Sequence, residues 1–400
     1  MKRFTSHKSA FTLLALLAVA CLLLSVLVGC GGSGSATGAA VTTAGKPPPQ
    51  PPPPPSPGAD PAIAFVAVTK GGPELWVMNA DGSNRTKVVG GATFYSPSWS
   101  PDGKQIAFEN RDEAALQGSG LYVVSVDGKT PPELLVPAPA YPGYLASPAW
   151  SPLGDRIAYV WSYDINAAGG EVRTVPAAGG NWQTLYTFPD TQGVWWGLCW
   201  SPEATRLAVV ADHDPATWTQ PFIGILDLTA GSLTDVTWPT FSRVQDDAPD
   251  WARHSNVIAF TGEKAPEGVG LWILDLKSGD SKKLPGSLVR PSWSPDADDS
   301  RLVVAKTGSR GGDLWTVEVA SGTETLLAQR VKNSQSALRE PDWRRPPPVL
   351  TAGRASGPAS LVAASGAPSG GAIPRAAPAA RTGRPPELGG RDRAALRRNR

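Results

Sequence analysis

The chain has 400 residues, of which 41% are hydrophobic and 18% charged, and its formal net charge is +2. The charge is unevenly distributed, because residues 61–345 carry 24 basic and 32 acidic side chains and the excess of arginine lies outside that range. Binding to nucleic acid depends on phosphate neutralisation by Lys and Arg, so we expect no nucleic-acid partner. The length fits one large domain with extensions.

Residues 1–29 have the pattern of an export signal. Lys2, Arg3 and Lys8 precede an uncharged apolar stretch that runs from Phe11 to Val28. The alternative is a retained transmembrane anchor, since about 18 apolar residues just span a bilayer.

A short motif at the end of this stretch favours cleavage. Leu27-Val28-Gly29-Cys30 resembles the bacterial lipobox, which directs cleavage before the cysteine and attachment of diacylglycerol to its thiol. Cys21 is a weaker candidate, because Ala18 stands where the lipobox has Leu. We therefore expect an extracytoplasmic protein, periplasmic or on the cell surface, attached to the cell membrane or the outer membrane by a lipid on Cys30.

Residues 30–60 form a linker that is first rich in Gly and Ser and then rich in Pro. Proline runs favour extended polyproline II, which acts as a semi-rigid spacer. The alternative is recognition of this segment by a proline-binding partner. We expect a stalk that holds the domain away from the membrane.

Residues 61–345 consist of copies of one unit, typified by Ser98-Trp99-Ser100-Pro101-Asp102-Gly103-Lys104-Gln105-Ile106-Ala107-Phe108. Proline lies two residues before five of the six repeat tryptophans, and Leu198 takes its place before Trp200. The repeat tryptophans are Trp99, Trp150, Trp200, Trp251, Trp293 and Trp343. A fixed repeat of this length indicates a propeller or a solenoid.

Each unit predicts four short antiparallel strands. Ser100-Pro101-Asp102-Gly103 fits a type I turn, and Ile106-Ala107-Phe108 alternates large and small residues as a strand does. A second apolar run, the tight turn Asp127-Gly128 and a fourth strand around Leu134 follow. A four-stranded unit of this length corresponds to one blade of a β-propeller.

The two ends of the repeat region complete each other. The first unit, which begins at Ile63, lacks a Trp strand, whereas Arg339-Glu340-Pro341-Asp342-Trp343 is a Trp strand with no strands after it. The last strand is therefore predicted to complete the first blade. The fold class is all-β: a closed ring of six four-stranded blades, or 24 strands, without open sheet edges.

The repeat P-x-W-S-P-D-G-x-x-I-A-F, followed by L-Y/W-V and D-G, resembles the WD-like repeat of the TolB-like propellers. This family also includes the non-catalytic propeller of prolyl-oligopeptidase-type enzymes. The resemblance implies a six-bladed propeller and one of three roles: partner binding, ligand binding or gating of a hydrolase. We expect neither the N-terminal α/β domain of TolB nor a hydrolase domain after the propeller.

Aromatic residues outside the repeat positions are the candidate binding residues. The repeat tryptophans are interpreted as packing between blades, since a buried Trp serves a core. The other aromatics lie on connections that emerge on one rim of the ring, where exposed aromatics on a rigid scaffold favour binding. The alternative is that they only pack on one another. The candidate ligand- or partner-binding residues are Tyr144, Trp161, Tyr163, Trp195, Trp196 and Trp218.

Motifs for chemistry are missing from the sequence. After processing the only histidines are His213 and His254, and no nucleophile elbow, zinc-protease or phosphate-loop motif occurs. We therefore expect no catalytic residue, no metal site and no cofactor. Less favoured alternatives are a metal at Asp212-His213-Asp214 and Ca²⁺ at Asp246-Asp247 or Asp298-Asp299, which are interpreted as solvated loop acids.

The residues after 345 are rich in Ala, Pro, Gly and Arg without periodicity, and the segment 346–400 is interpreted as a disordered tail. Its nine arginines suit anionic envelope polymers or lipid headgroups, and such composition also arises when GC-rich DNA is read past a stop or out of frame.

The sequence as a whole favours a monomeric, non-catalytic module that binds a protein or cell-wall partner. The alternative is a propeller hydrolase or lyase, or the accessory domain of a peptidase-type enzyme.

Overall fold

The computed structural model describes residues 62–112, 115–164, 168–214, 219–244, 249–306, 312–329 and 337–345, the side chains of 337–339 excepted. The predicted signal peptide, linker, lipid-attachment residue Cys30 and tail lie outside these residues, and so does Trp218. In the described part of the chain no helix is long and apolar enough to cross a membrane.

The described secondary structure is entirely β. The first twelve strands are β1 (Ile63–Thr69), β2 (Gly72–Met78), β3 (Thr86–Gly90), β4 (Phe94–Trp99), β5 (Gln105–Asn110), β6 (Gly120–Ser125), β7 (Glu133–Pro137), β8 (Tyr144–Trp150), β9 (Arg156–Ser162), β10 (Glu171–Pro176), β11 (Gln183–Thr187) and β12 (Gly193–Trp200). The others are β13 (Arg206–Asp212), β14 (Pro221–Asp227), β15 (Ser232–Asp235), β16 (Arg243–Val244), β17 (Asp250–Trp251), β18 (Val257–Lys264), β19 (Gly268–Asp275), β20 (Ser281–Lys283), β21 (Leu288–Trp293), β22 (Arg301–Lys306), β23 (Asp313–Glu318), β24 (Glu324–Ala328) and β25 (Ala337–Trp343).

These strands form six antiparallel sheets, which are the six blades of a propeller. Blade 1 has the order β25-β1-β2-β3, and blades 2, 3, 4 and 6 are the consecutive sets β4–β7, β8–β11, β12–β15 and β21–β24. In blade 5 the inner strand is described as two pieces, β16 and β17, which both pair with β18. This division accounts for 25 described strands where 24 were predicted.

The C-terminal strand closes the ring, as predicted. β25 pairs with β1 in antiparallel register, with Trp343 opposite Ile63 and Asp342 opposite Ala64. The first and last described strands of the propeller therefore share one sheet, and no blade is left with three strands.

The alternation of large and small residues explains how neighbouring blades fit together. In β5, Ile106 and Phe108 pack in the cluster between blades 1 and 2, whereas Ala107 packs in the cluster between blades 2 and 3. β9 repeats the arrangement: Ile157 faces the preceding blade and Ala158 the following one. In these segments the larger side chains thus pack on one neighbouring blade and the alanine on the other, which suits close packing.

The repeat tryptophans complete these interfaces and confirm the interpretation of them as core. Six apolar clusters lie one between each pair of neighbouring blades, and each contains one repeat Trp packed towards the preceding blade. All six tryptophans are buried.

In the five inner strands whose residues are described at this position, a bulge lies three residues before the Trp. The residue there has a positive φ at five described positions: Ser96, Ser147, Gly197, Arg290 and Glu340. In four of the five the next residue is proline, which has no N–H. Because the inner strand is the edge that faces the channel, a missing donor there leaves no amide unpaired. The repeated bulge shows that the positive φ belongs to the blade and not to one loop.

A set of hydrogen bonds joins the inner strands of successive blades. The Trp99 N–H donates to Asp342 Oδ2 (2.8 Å) and the Trp293 N–H donates to Asp250 Oδ2 (2.6 Å). Two serines accept in the same way from the next blade: Trp150 donates to Ser98 Oγ and Trp343 to Ser292 Oγ, both at 2.9 Å. In each case the acceptor is the residue immediately before a repeat Trp. Buried edge amides are therefore satisfied by side chains of the preceding blade.

Removing the closing strand should open the ring. A chain ending at Gln335 lacks β25, including the buried Trp343, and we expect its melting temperature to fall by ~10 °C or more with loss of a cooperative transition. A chain ending at Pro348 is the control, because it keeps Arg345 and places the new terminal carboxylate beyond it. Equal melting curves for the two truncations, measured by circular dichroism, would contradict closure by β25.

Candidate binding site in the central channel

The inner strands surround a cavity of about 520 Å³. Its wall contains the repeat prolines Pro97, Pro148, Pro249, Pro291 and Pro341, with Leu198 at the sixth position. We call the end nearest the bulges the bulge end, and the end nearest the Ser-Pro turns, such as that at Pro101, the turn end. Cavities of a few hundred Å³ with apolar walls and a few polar groups are typical ligand sites.

Arg111 defines one side of the bulge end. It follows β5, and its guanidinium carbon lies 4.3 Å from the centre of the Tyr95 ring and 4.7 Å from that of Trp196. The Arg111 Nε donates to the carboxylate of Glu109, a residue that is buried. Burial raises the pKa of Glu109, and that carboxylate in turn holds the pKa of Arg111 above its usual value although burial opposes this.

A second arginine–carboxylate pair lies on another part of the same end. Arg290 Nη1 is 2.7 Å from Glu340 Oε1, and Glu340 Oε2 accepts the backbone N–H of Ser96 at 2.6 Å. The equivalent contact of Glu109 is a longer hydrogen bond (3.4 Å) from the backbone N–H of Ser147. Both carboxylates thus meet backbone at the bulges and belong to the wall.

A third pair lies farther along the channel, at the end of the closing strand. Arg345 pairs with Asp250, a carboxylate buried in the wall, and donates from Nη1 to the carbonyl oxygen of Trp251 at 3.1 Å. Burial raises the pKa of Asp342 to about 7, although the nearby Arg345 and the Trp99 N–H favour the charged form. Arg345 therefore ties blade 1 to blade 5 across the channel.

The structure brings two of the sequence-predicted residues, Tyr144 and Trp196, into contact and places a third, Trp195, elsewhere. Trp196 lines the channel and stacks edge-to-face on Tyr144 at 6.1 Å, and Trp195 packs instead in the apolar cluster between blades 4 and 5. The Tyr144 hydroxyl donates to the Val194 carbonyl at 2.7 Å, and burial raises its pKa.

A wider bulge separates the two tryptophans. In blade 4, three residues, 195–197, stand opposite the single residue Val210, where blade 3 has Ser147 and Pro148 opposite Tyr159. The extra residue sends Trp195 and Trp196 to different surroundings.

Trp161 and Tyr163 lie in a different group from Tyr144 and Trp196. Trp161 packs towards blade 2 and Tyr144 towards blade 4, on opposite faces of blade 3. The guanidinium carbon of Arg173 lies 4.2 Å from the Trp161 ring, and the Tyr163 hydroxyl accepts from Arg173 Nη2 at 2.7 Å. Alternation of side chains between the faces of a sheet explains the separation.

The acidic side chains that were considered as metal ligands accept hydrogen bonds from loop backbone. Asp212 is buried, and its Oδ1 accepts the backbone N–H groups of Asp214 and Gln220. Asp299 is also buried and accepts the N–H groups of Arg253 and His254, so its interpretation as a solvated loop acid was wrong. Among the residues that the structure describes, no group of three His, Cys, Asp or Glu side chains is arranged to hold a metal.

Sequence reasoning missed the charged residues of the channel. They occupy three repeated positions: one residue before the Trp (Asp250, Asp342), three residues before it (Arg290, Glu340) and two residues after it (Arg253, Arg345). Comparing these positions between repeats would have marked them, because a charge there interrupts a sequence of small or apolar residues. Arg111 follows a strand, and no repeated position predicts it.

Comparison with known proteins establishes the fold. No protein-family model matches the sequence. TolB from Acinetobacter baumannii matches with 19% identity over 72% of this chain and 68% of that chain, at a TM-score of 0.56. A putative TolB from Agrobacterium tumefaciens matches with 15% identity over 67% and 89% of the two chains, at 0.50.

A third match is a chain of a nidogen/laminin complex, with 13% identity over 70% of this chain and 98% of that chain and a TM-score of 0.52. Identities this low show the fold alone. The protein is a TolB-like six-bladed β-propeller in fold.

The buried carboxyl of Asp342 should make stability depend on pH. Its pKa is raised from 3.8 to about 7, so between those values the folded protein holds a proton that the unfolded chain has lost. The free energy of unfolding therefore falls as the pH rises through this window, by on the order of 2–4 kcal/mol for this group.

We expect Asp342→Asn, which keeps an oxygen to accept from Trp99, to flatten this slope and to stabilise the protein at pH 8. The measurement is urea unfolding between pH 5 and pH 8.5. Asp127→Asn, in an exposed turn, is the control and should leave the slope unchanged. Parallel profiles for the wild type and Asp342→Asn would show that Asp342 does not titrate in this range.

Proposed function

We propose that this protein is a non-catalytic binding module of the cell envelope, which is held at a membrane through a lipid on Cys30 and binds a protein or cell-wall partner at the bulge end of its channel. The observation that carries the proposal is the composition of that end. The Arg111 guanidinium lies between two aromatic rings, Tyr95 and Trp196, at the wall of a cavity that is otherwise mostly apolar. Aromatic and arginine side chains dominate the energetics of binding surfaces.

The structural neighbours support binding as the general role. Two of them are TolB structures, and the nidogen chain comes from a complex of two proteins. Propellers of one fold serve unrelated functions, so the argument for this chain rests on its own channel.

The contacts of the channel carboxylates favour binding over catalysis. Glu340, Asp250 and Asp342 each accept a backbone N–H from a neighbouring blade. Their oxygens are engaged in joining blades, whereas a general acid or base needs an oxygen directed at the substrate. The proposal therefore assigns them to the wall and assigns ligand contact to the arginines and aromatics.

Lipid attachment is tested directly on the mature protein. We expect the wild-type protein to incorporate labelled fatty acid and Cys30→Ser to lose it while the propeller still folds, because only the thiol is changed. Intact-mass analysis gives the modification, and Cys21→Ser is the matched control. An unmodified Cys30 in the mature wild-type protein would be incompatible with the anchor.

Partner capture should depend on Trp196 and not on the turn end. We expect Trp196→Ala, made in the chain that carries Cys30→Ser, to lose capture of envelope components by about thirtyfold, because removal of a central aromatic costs about 2 kcal/mol of binding. Its stability should change by about 1 kcal/mol, the range of a cation–π contact. Asp102→Ala, in a turn at the other end, should capture as the wild type does.

Trp195→Ala separates folding from binding. Trp195 packs between blades 4 and 5, so its removal should cost on the order of 2–3 kcal/mol of stability, somewhat less than a fully buried Trp. Quantitative mass spectrometry of captured envelope components, together with urea unfolding, gives both quantities. Wild-type capture by Trp196→Ala would refute binding at the bulge end.

A further inference from the structure

The arginines and the carboxylates of the channel lie in different layers. At the bulge end the side chains of Arg111 and Arg290 are each 37% exposed, whereas their partners Glu109 and Glu340 are 1% and 4% exposed. The surface pair of Arg206 with Glu203 has no such division, since Glu203 is 43% exposed. A molecule that enters the channel therefore meets guanidinium groups, with the carboxylates behind them in the wall.

The two arginines of the bulge end belong to one electrostatic cluster. Arg290 pairs with Glu340 at 2.7 Å, and the charge of Glu340 also acts on Arg111 and on Glu109. Both guanidinium groups therefore lie within electrostatic reach of the same carboxylate.

The choice of basic residue indicates the chemistry of the ligand. Residues 61–345 contain 14 Arg and 10 Lys, yet the described residues that line the channel include Arg111, Arg253, Arg290 and Arg345 and no lysine. The planar guanidinium matches a carboxylate with two parallel hydrogen bonds, and stacking on aromatic rings keeps it in place. The Arg111 side chain is stacked in this way by Tyr95 and Trp196.

The surroundings of the channel arginines place a second requirement on the ligand. The surrounding domain is acidic, so the exposed arginines are a local feature of the channel and not part of a basic surface. The channel lining also contains proline and tryptophan rings, which suit apolar or aromatic groups. A volume of about 520 Å³ has the size of common ligand pockets.

We propose that the bulge end of the channel binds an acidic peptide segment, with carboxylates on Arg111 and on Arg290 and an apolar or aromatic side chain against Trp196 and the proline rings. This inference rests on the proposed function and names the chemistry of the partner. Tighter binding of a phosphopeptide or of an oligonucleotide is an outcome of the test that would contradict the proposal.

The test uses capped five-residue peptides titrated into the mature chain that carries Cys30→Ser, followed by calorimetry. One peptide has four glutamates around a phenylalanine, and its matched partner has four glutamines around the same phenylalanine. We expect the glutamate peptide to bind at least tenfold more tightly. The double variant Arg290→Gln, Glu340→Gln, which leaves no buried carboxylate without its arginine, should remove most of that difference. Lys129→Gln, which removes a positive charge from an exposed turn, is the control and should bind as the wild type does.

Arg111→Gln alone leaves Glu109 buried without its partner, so the double variant Glu109→Gln, Arg111→Gln is used in its place. A tenfold loss in this variant, with unchanged urea unfolding, supports the proposal. Equal binding of the two peptides, still dependent on Trp196, would overturn the acidic ligand while leaving a binding channel. Binding of neither peptide at millimolar concentration, or tighter binding of a phosphopeptide or an oligonucleotide than of the glutamate peptide, would also overturn it.

Discussion

The backbone amide of the repeat tryptophan lies on the inner edge of each blade, which faces the channel and which no further strand covers. In four of the six blades this amide donates to a side chain of the preceding blade, either a serine hydroxyl or an aspartate carboxylate. The need to satisfy these donors explains why carboxylates lie buried in a channel wall, where charge is costly. It also explains Arg345, because the buried carboxylate of Asp250 is stable beside a cation.

The six blades are not equivalent, and blades 3 and 4 differ from the others in two ways. Blades 3 and 4 have Ala149 and Cys199 before the repeat Trp, so neither supplies a side-chain acceptor of the serine or aspartate kind. The same blades supply Tyr144 and Trp196, and blade 4 has the wider bulge. The opposite half of the ring holds Asp250, Arg290, Glu340 and Asp342. A ligand in the channel would therefore contact an apolar side and a charged side.

Local sequence patterns were sufficient to predict the fold but not the candidate site. The fold was predictable from signals that act over a few residues: the repeated Trp and Pro, the Ser-Pro turns and the alternation in segments such as Ile106-Ala107-Phe108. The incomplete first and last units then indicated that the ring is closed by the last strand. The pairing of Arg290 with Glu340 joins blades 6 and 1, and Arg111 meets Trp196 from two blades away. Such contacts depend on the ring being closed. Trp161 and Tyr144 lie on opposite faces of blade 3, which follows from the alternation of side chains along paired strands.

The central claim is that the bulge end of the channel presents positive charge beside Trp196, while the carboxylates are buried in the wall behind the arginines. Collisional quenching of tryptophan fluorescence by iodide and by caesium measures the sign of the charge next to an indole. The contribution of Trp196 is the difference between the wild type and Trp196→Phe. We expect iodide to quench this contribution several times more strongly than caesium at low ionic strength, and the preference to shrink at 1 M salt, where the Debye length is about 3 Å. Equal quenching by the two ions, or stronger quenching by caesium, would contradict the account.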